Sequence, residues 1–446
     1  MHLKRYSLIF VALVTLIPLY SQFNTFSPYT RFALGDLSKQ GFAQNQAMGG
    51  TGLAIHDGRR INILNPAAFA ALDSMSVYFD FGANVFFNQY LTEGDNITNT
   101  SNTWWNANLH HVAFASSMGK HMGISAGIVP YSAIGYSIKQ EYNDYTTGNA
   151  MDTYYSGDGG IMNFYIGTAF KAWDKVSVGV TMNYLMGKLT RERIIDFPAN
   201  SDYSSANSEE RFDIKKPVFS FGLQYKEVIS ENFFFSLGAT YDLATNVNTE
   251  LQYDVTNAIY PYGEVKLDSV TSITPSYVLG ADTLMSSFVL PQKVGLGFSV
   301  GIPDKLIVTA DYIRQDWTGS QGSNNYRTAS ANSIHFGTEY TPDHDALRGY
   351  LKLASYRLGG YYSNSYLSVL KGGYQPDDPN AFYQLNDYGI TFGVGLPVKS
   401  IRSSINLALT LGTRGTTDFS LIKENYGIFT FNVTLHDLWF RKRRFE

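Results

Sequence analysis

The stretch Gly123–Ile138, GISAGIVPYSAIGYSI, decides how the rest of the chain is read. Ile124, Ala126, Ile128, Ile134, Tyr136 and Ile138 alternate with Gly123, Ser125, Gly127, Ala133, Gly135 and Ser137. Alternation of period two is the mark of a strand with one apolar and one small or polar face. Pro130 interrupts it at the centre. Proline removes a ladder donor and is normally confined to strand edges, first residues and bulges. A long, well-patterned strand with a break in its middle needs an architecture that tolerates the break.

Similar segments recur along the chain. Near the C-terminus Phe429, Phe431, Val433 and Leu435 alternate with Thr430, Asn432, Thr434 and His436. In SVYFDFGANVFF, Val77, Phe79, Phe81, Ala83, Val85 and Phe87 oppose Tyr78, Asp80, Gly82 and Asn84. Strands are predicted near 75–90, 107–118, 121–139, 158–171, 175–193, 211–226, 232–246, 287–301, 305–316, 328–341, 350–363, 382–396, 400–412 and 426–440. The short connections are GK, AWDK, EVISE, IPDK, TPDHDALRG and PVK. Long polar ones fall near 91–106, 140–157, 194–210, 247–286, 317–327, 364–381 and 413–425. Short and long alternate throughout, as in a barrel with short periplasmic turns and long external loops. The expected fold is all-β: a 14-stranded antiparallel transmembrane β-barrel over 75–446.

Composition agrees. Of 446 residues 16% are charged and 15% aromatic, with 40 Gly, 32 Tyr and 30 Phe. Globular domains carry about 25% charged residues, whereas lipid-facing strands flanked by aromatic girdles carry few. The net charge of −4 and the lack of a basic patch with interleaved aromatics argue against a nucleic-acid partner. Residues 1–21 read as a signal peptide: Lys4 and Arg5 precede the apolar run Ser7–Tyr20. With no cysteine, neither disulfides nor thiol chemistry are available. Residues 22–74 lack alternation and are too long for a tether. They are expected to form an N-terminal hatch, or plug, in the lumen, where Asn65 is a fitting helix N-cap and Pro66 a fitting first residue.

Candidate chemical motifs have plainer readings. GISAG spells a nucleophile elbow, but that elbow requires a strand–turn–helix context. Asp343, His344 and Asp345 sit in a turn, where such residues are ordinary. His110 and His111 should point to opposite faces of a strand, which leaves at most one inward. QPDDPN carries carboxylates without a specific calcium pattern, and Arg441–Arg444 follow the last strand. No catalytic residues, metal ligands or cofactor are expected, and the protein reads as a non-enzyme.

AMGGTGLAIHDGRRINILNPAAFAALDSMSVYFDFG and GIVPYSAIGYSI together resemble the FadL/TodX family of outer-membrane transport proteins for hydrophobic compounds. The resemblance implies a barrel stoppered by a hatch, with a kinked third strand that leaves a lateral opening. It places Asn65, Pro66 and Ala67 on the hatch motif, although Ala68 stands where glycine often follows, and Pro130 and Tyr131 on the kink. By parity, Phe86, Leu109, Val129 and Ile313 are candidate ligand-lining residues. The function implied is passive uptake of long-chain fatty acids or aromatics, with outer-membrane lipids as neighbours. The alternative is a non-transporting scaffold with protein partners in an envelope secretion or assembly complex, for which the loop near 247–286 offers a surface.

Overall fold

The computed structural model describes residues 27–92, 103–144, 149–196, 205–231, 233–248, 250–258, 287–320, 325–398 and 403–439. The expected signal peptide, most of the 247–286 loop and Arg441–Arg444 lie outside these residues.

Fourteen strands form the wall. They are β1 (Ser76–Thr92), β2 (Thr103–Met118), β3 (Met122–Asp144), β4 (Asn149–Trp173), β5 (Val176–Asp196), β6 (Ser205–Ser230) and β7 (Phe233–Asp242). They continue as β8 (Lys293–Ile302), β9 (Leu306–Asp316), β10 (Ser330–Tyr340), β11 (Ser355–Leu370), β12 (Phe382–Val398), β13 (Ser403–Arg414) and β14 (Ile422–Leu438). Each pairs antiparallel with its neighbour, and β14 pairs with β1 over Ile422↔Thr92 to Leu438↔Ser76. The sheet thus closes on itself.

The burial pattern is that of a protein solvated by lipid. Ile166, Phe170, Phe221, Leu296, Phe298, Phe336, Ile390 and Phe431 are exposed, while Ser299, Thr309, Asn406, Thr410, Thr430 and Asn432 are buried. Apolar side chains face out and polar ones face in, the dyad expected of a barrel in a bilayer. Among the described residues no helix is long and apolar enough to cross a membrane. The strands do the crossing, because a closed barrel leaves no backbone donor or acceptor unpaired in hydrocarbon.

Three sequence expectations need correction. First, the predicted loops at 140–157 and 194–210 are largely strand: β3 and β4 pair up to Asp144↔Asn149, and β5 and β6 up to Ile195↔Ala206. Both faces are polar there, so alternation carries no contrast. Second, the single apolar face read across Gly123–Ile138 is two faces. The β3–β4 register slips between Pro130 and Ser132, leaving Tyr131 as the extra residue. Ile124 and Ile128 therefore lie on the side opposite buried Ser125, whereas Ile134 and Tyr136 are buried in the interior with Tyr29 and Phe32. Third, the β1–β2 register slips opposite Leu109 and His111, so a bulge at His110 turns both histidines inward. A bulge inserts one residue and resets parity.

Residues 27–75 run from the long-loop end to the short-turn end against the inward faces of the strands. Their backbone seats on inward glycines of successive strands. A Cβ on Gly123 would meet the Phe69 carbonyl oxygen at 1.8 Å, one on Gly238 the Leu53 oxygen at 2.0 Å, and one on Gly359 the Gly49 nitrogen at 2.2 Å. Gly179 and Gly337 make the same approach to the backbone of Pro66 and Met48, and Gly222 makes room for the Asn65 side-chain oxygen. Around this seat Phe42, Ile61 and Phe69 are buried against Tyr78, Val129 and Tyr165.

We expect Gly123→Val to unseat Phe69 and destabilise the segment by about 1–3 kcal/mol, the usual cost of overpacking. Proteolysis after residue 60 in the folded, heat-modifiable barrel checks this; the outward substitution Leu296→Val should leave the cleavage rate unchanged.

Candidate functional site

The N-terminal segment is built from short pieces, each fixed locally. Ser27 caps a 3-10 turn at Pro28–Arg31. Asp36–Leu37 adds a two-residue rung to β3, pairing with Ala133 and Ser132. Ala43–Gln46 forms one helical turn. Asn65 accepts from the Ala67 N–H at 3.0 Å and so caps the Pro66–Ala71 turn, while its amide donates to the Leu53 carbonyl at 2.8 Å. Asn65, Pro66 and Ala67 therefore hold the middle of the segment on β5 and β6.

Ion pairs pin both ends. Towards the short turns, Arg60 bridges Asp57 at 2.8 Å and Glu339 at 2.8 Å, and Arg357 reaches Glu339 at 2.7 Å. Burial alone would push the Asp57 carboxyl up, but Arg60 and Arg59 outweigh it and hold it below the usual carboxylate range. Arg59 also meets Asp304 at 2.5 Å and touches His344, which accounts for part of the TPDHDAL turn. Towards the long loops, Arg414 lies 3.0 Å from Asp36, and Lys39 donates to the hydroxyls of Tyr361 and Tyr426 at 2.5 and 2.6 Å. Burial pushes the Lys39 amine down to about 8, with Asp387 opposing the shift.

Between these ends lies a cavity of about 380 Å³. Leu53, Leu64 and Phe69 of the segment form one side; Tyr131, Leu185, Ile313, Asn163, Asn183 and His335 come from the wall. A smaller cavity of about 90 Å³ lies beside β2 and β3, bordered by Phe86, Leu109, His110, Pro130, Ala133 and Ile428. Asp36, Leu37, Ser38 and Lys39 line both cavities and stand between them.

The smaller cavity sits where the wall changes partners. The β2–β3 ladder runs from Met118↔Met122 to Val112↔Ile128 and goes no further. Above it β3 takes Leu37 and Asp36 as partners; the Ser38 N–H donates to the Tyr131 carbonyl at 2.9 Å and the Ser27 N–H to Gly135 at 3.0 Å. Pro130 lies two residues beyond the last β2 pair, where a missing donor breaks no β2–β3 bond. That is why the strand tolerates it.

Of the residues singled out by sequence, Pro130, Phe86 and Leu109 meet at the smaller cavity, and Tyr131 and Ile313 line the larger one. Leu109 points outward, 51% exposed, because the bulge at His110 reverses its parity. Val129 is buried against the aromatic cluster around Phe42 rather than facing a cavity. Ser125 of GISAG donates to the Phe114 carbonyl at 2.9 Å within a strand. Among the described residues no group of three or more His, Asp or Glu side chains is placed to hold a metal. Sequence reasoning passed over Asp36, Lys39, Glu339, Asp387 and Arg414. For Glu339, Asp387 and Arg414, charge at inward parity in a lipid-facing strand was the available signal, since lipid leaves such residues only the lumen; Asp36 and Lys39 lie in the segment, whose sequence carries no alternation.

The sequence model of BamG matches residues 2–446. The chain belongs to the BamG family. No curated protein matches it. In structure it is similar to a Pseudomonas aeruginosa FadL homologue (TM-score 0.56, 11% identity, 90% of this chain and 99% of that one). It is likewise similar to the P. putida toluene transporter TodX (0.55, 15%, 91% and 100%) and the Ralstonia pickettii toluene transporter TbuX (0.54, 15%, 89% and 98%). At these identities the likeness establishes the fold alone, a closed barrel of FadL type.

Replacing Glu339 by Gln should leave Arg60 and Arg357 short of a buried counter-charge and cost on the order of 3 kcal/mol. Thermal unfolding in detergent, followed by loss of the compact band on unheated gels, measures it; an unchanged midpoint would mean the cluster is not a structural anchor.

Proposed function

We propose that this BamG-family barrel is an outer-membrane conduit for passive uptake of a small hydrophobic compound. Residues 27–75 act as the hatch, and the divergence of β2 from β3 acts as the lateral exit. The observation that carries the reading is the position of Asp36–Lys39. This stretch both fills the wall where the β2–β3 ladder stops and separates the central cavity from the side cavity. A molecule entering at the long-loop end would collect in the central cavity, which is within the usual size range of small-molecule sites. Displacement of the Asp36–Leu37 rung would then join the two cavities and let it leave beside Pro130 into the bilayer. An apolar solute gains from that route because crossing water instead costs roughly 25 cal/mol per Å² of apolar surface.

The lining bears on the class of solute. Lys39 and Arg414 are already committed to Asp387 and Asp36, so a carboxylate would have to compete with side chains of the protein. An uncharged aromatic suits the site better than a fatty-acid anion, and the toluene transporters among the structural neighbours fit that preference.

A second reading, a scaffold with protein partners in an envelope complex, is favoured by the asymmetry of the wall. Strands β3 to β6 have 23, 25, 21 and 26 residues, while β7 to β10 have 10, 10, 11 and 11. A tilted strand needs only about 9–11 residues to span a bilayer, so one side of the barrel rises far above the other.

Leu37→Cys combined with Ser132→Cys sets two thiols directly opposite in a chain with no other cysteine. Oxidation should abolish entry of labelled toluene into cells, and a reductant should restore it. Uptake that ignores the staple, with a stoichiometric protein partner recovered after mild crosslinking, would transfer the assignment to the scaffold.

A further inference from the structure

The turn that joins β10 to β11 is far larger than its place in the barrel requires. Residues 119–121, 174–175 and 303–305 are enough to reverse the chain elsewhere at the same end, whereas here it takes residues 341–354. The excess is folded, not slack. The Asp343 N–H donates to the Lys352 carbonyl at 3.0 Å, the Thr341 and Ser355 hydroxyls lie 2.8 Å apart, and Tyr350–Leu353 form one helical turn. The first limb is polar and exposed: Asp343, His344 and Asp345 face water, and His344 touches Arg59 of the N-terminal segment.

The second limb is apolar. Leu347 is 94% exposed and Leu351 68%, and Tyr350 is exposed beside them. One exposed leucine is ordinary, but apolar side chains set out together on a closed turn mark a surface that something covers. Two hydrogen bonds fix where this limb lies. The Tyr350 hydroxyl donates to the Pro397 carbonyl of β12 at 3.0 Å, and the Tyr356 hydroxyl donates to the Leu351 carbonyl at 3.1 Å. Tyr356 belongs to the outward row of β11: it is exposed, as is Leu358, while Arg357 between them is buried. Across the ladder it faces Tyr340, which is exposed as well. The backbone of Leu351 therefore lies against the lipid-facing side of the wall. Leu353, two residues on, turns back to border a cavity on the lumen side. The turn straddles the rim, with its leucines outside.

We propose that residues 347–352 are a foot that dips into the leaflet at the short-turn end of the barrel, with phospholipid as its partner. The limb has the composition of an interfacial element: Leu347, Tyr350 and Leu351 meet the acyl boundary, while exposed Arg348 and Lys352 meet headgroup phosphates. Tyrosine rings collect at headgroup level, so the outward pair Tyr340 and Tyr356 sets that level on this side of the wall, and the limb starts from it. Continuity with the apolar wall is what favours lipid over a protein as the occupant, because acyl chains already reach the rim on which Leu351 stands. Arg59, which His344 touches, also pairs with Asp304, so the same turn connects the leaflet to the N-terminal segment. The foot depends on the lipid-facing wall and not on the conduit, and it survives if the protein proves to be a scaffold.

The chain has no cysteine, so one environment-sensitive fluorophore can be attached at Leu347→Cys in the full-length protein. The protein is placed in phosphatidylethanolamine–phosphatidylglycerol vesicles, with and without lipids that carry a nitroxide quencher just below the headgroup. Asp345→Cys on the polar limb and Phe336→Cys on the outward wall are the aqueous and lipid references. The label at 347 should emit to the blue of that at 345 and lose about twofold more light to the nitroxide lipids, as a side chain at the headgroup–acyl boundary does. A label at 347 that matches the one at 345, while the one at 336 is quenched, overturns the foot and leaves the face to a protein partner, with the barrel still in lipid. If the label at 336 also escapes quenching, the membrane-spanning wall falls together with the foot.

Discussion

The structure depends on how closely an irregular chain can approach the inside of a sheet. A barrel of fourteen strands has a lumen too wide for its own side chains to fill, and residues 27–75 occupy it only because the wall offers glycines where their backbone comes nearest. At Gly123, Gly238 and Gly359 an added methyl group would fall within 2.2 Å of a backbone atom of the segment. The seat fixes the height of the segment, and the remaining contacts follow from that height. Arg60 reaches Glu339, Asn65 reaches the Leu53 carbonyl, and Asp36 comes level with Ala133 on the free edge of β3.

From this one constraint come both readings of function. If the rung at Asp36–Leu37 is displaced while the seat holds, the segment has a moving upper half and a fixed lower half. Its charges are arranged accordingly. The lower cluster of Asp57, Arg60, Glu339 and Arg357 is compact and multiply paired. The upper contacts of Asp36 and Lys39, at 3.0 and 3.8 Å, border two cavities. A buried pair resists separation because each charge would be left uncompensated, whereas one beside a cavity has room for water.

Much of the wall was legible in the sequence, because lipid on one side and a polar lumen on the other write an alternation such as that of Phe429–His436. What could not be read were the places where parity resets. The bulges at Tyr131 and His110 each shift the pattern by one residue, so Ile134 turned inward, Leu109 outward, and two adjacent histidines came to share the interior. The upper halves of β3 to β6 were missed for a different reason: above the bilayer both faces are polar, and no contrast remains. Pro130 raised the right question from sequence alone, but its answer required knowing that β2 stops pairing at Ile128. The stretch Asn65-Pro66-Ala67 was visible as a cap, while its seating on Gly179 and Gly222 depends on contacts between residues more than a hundred positions apart.

The seat is the claim on which the others stand, and its upper end is open to direct test. Ala47 of the segment packs with Ala408 of β13 in a small buried cluster, and the chain has no cysteine of its own. Cysteines placed at both positions should form an intramolecular disulfide in near-quantitative yield in intact cells, seen as a shift on non-reducing gels. Two thiols that remain separate, each reacting freely with a membrane-impermeant maleimide, would mean that the N-terminal segment does not lie on the inside of the barrel.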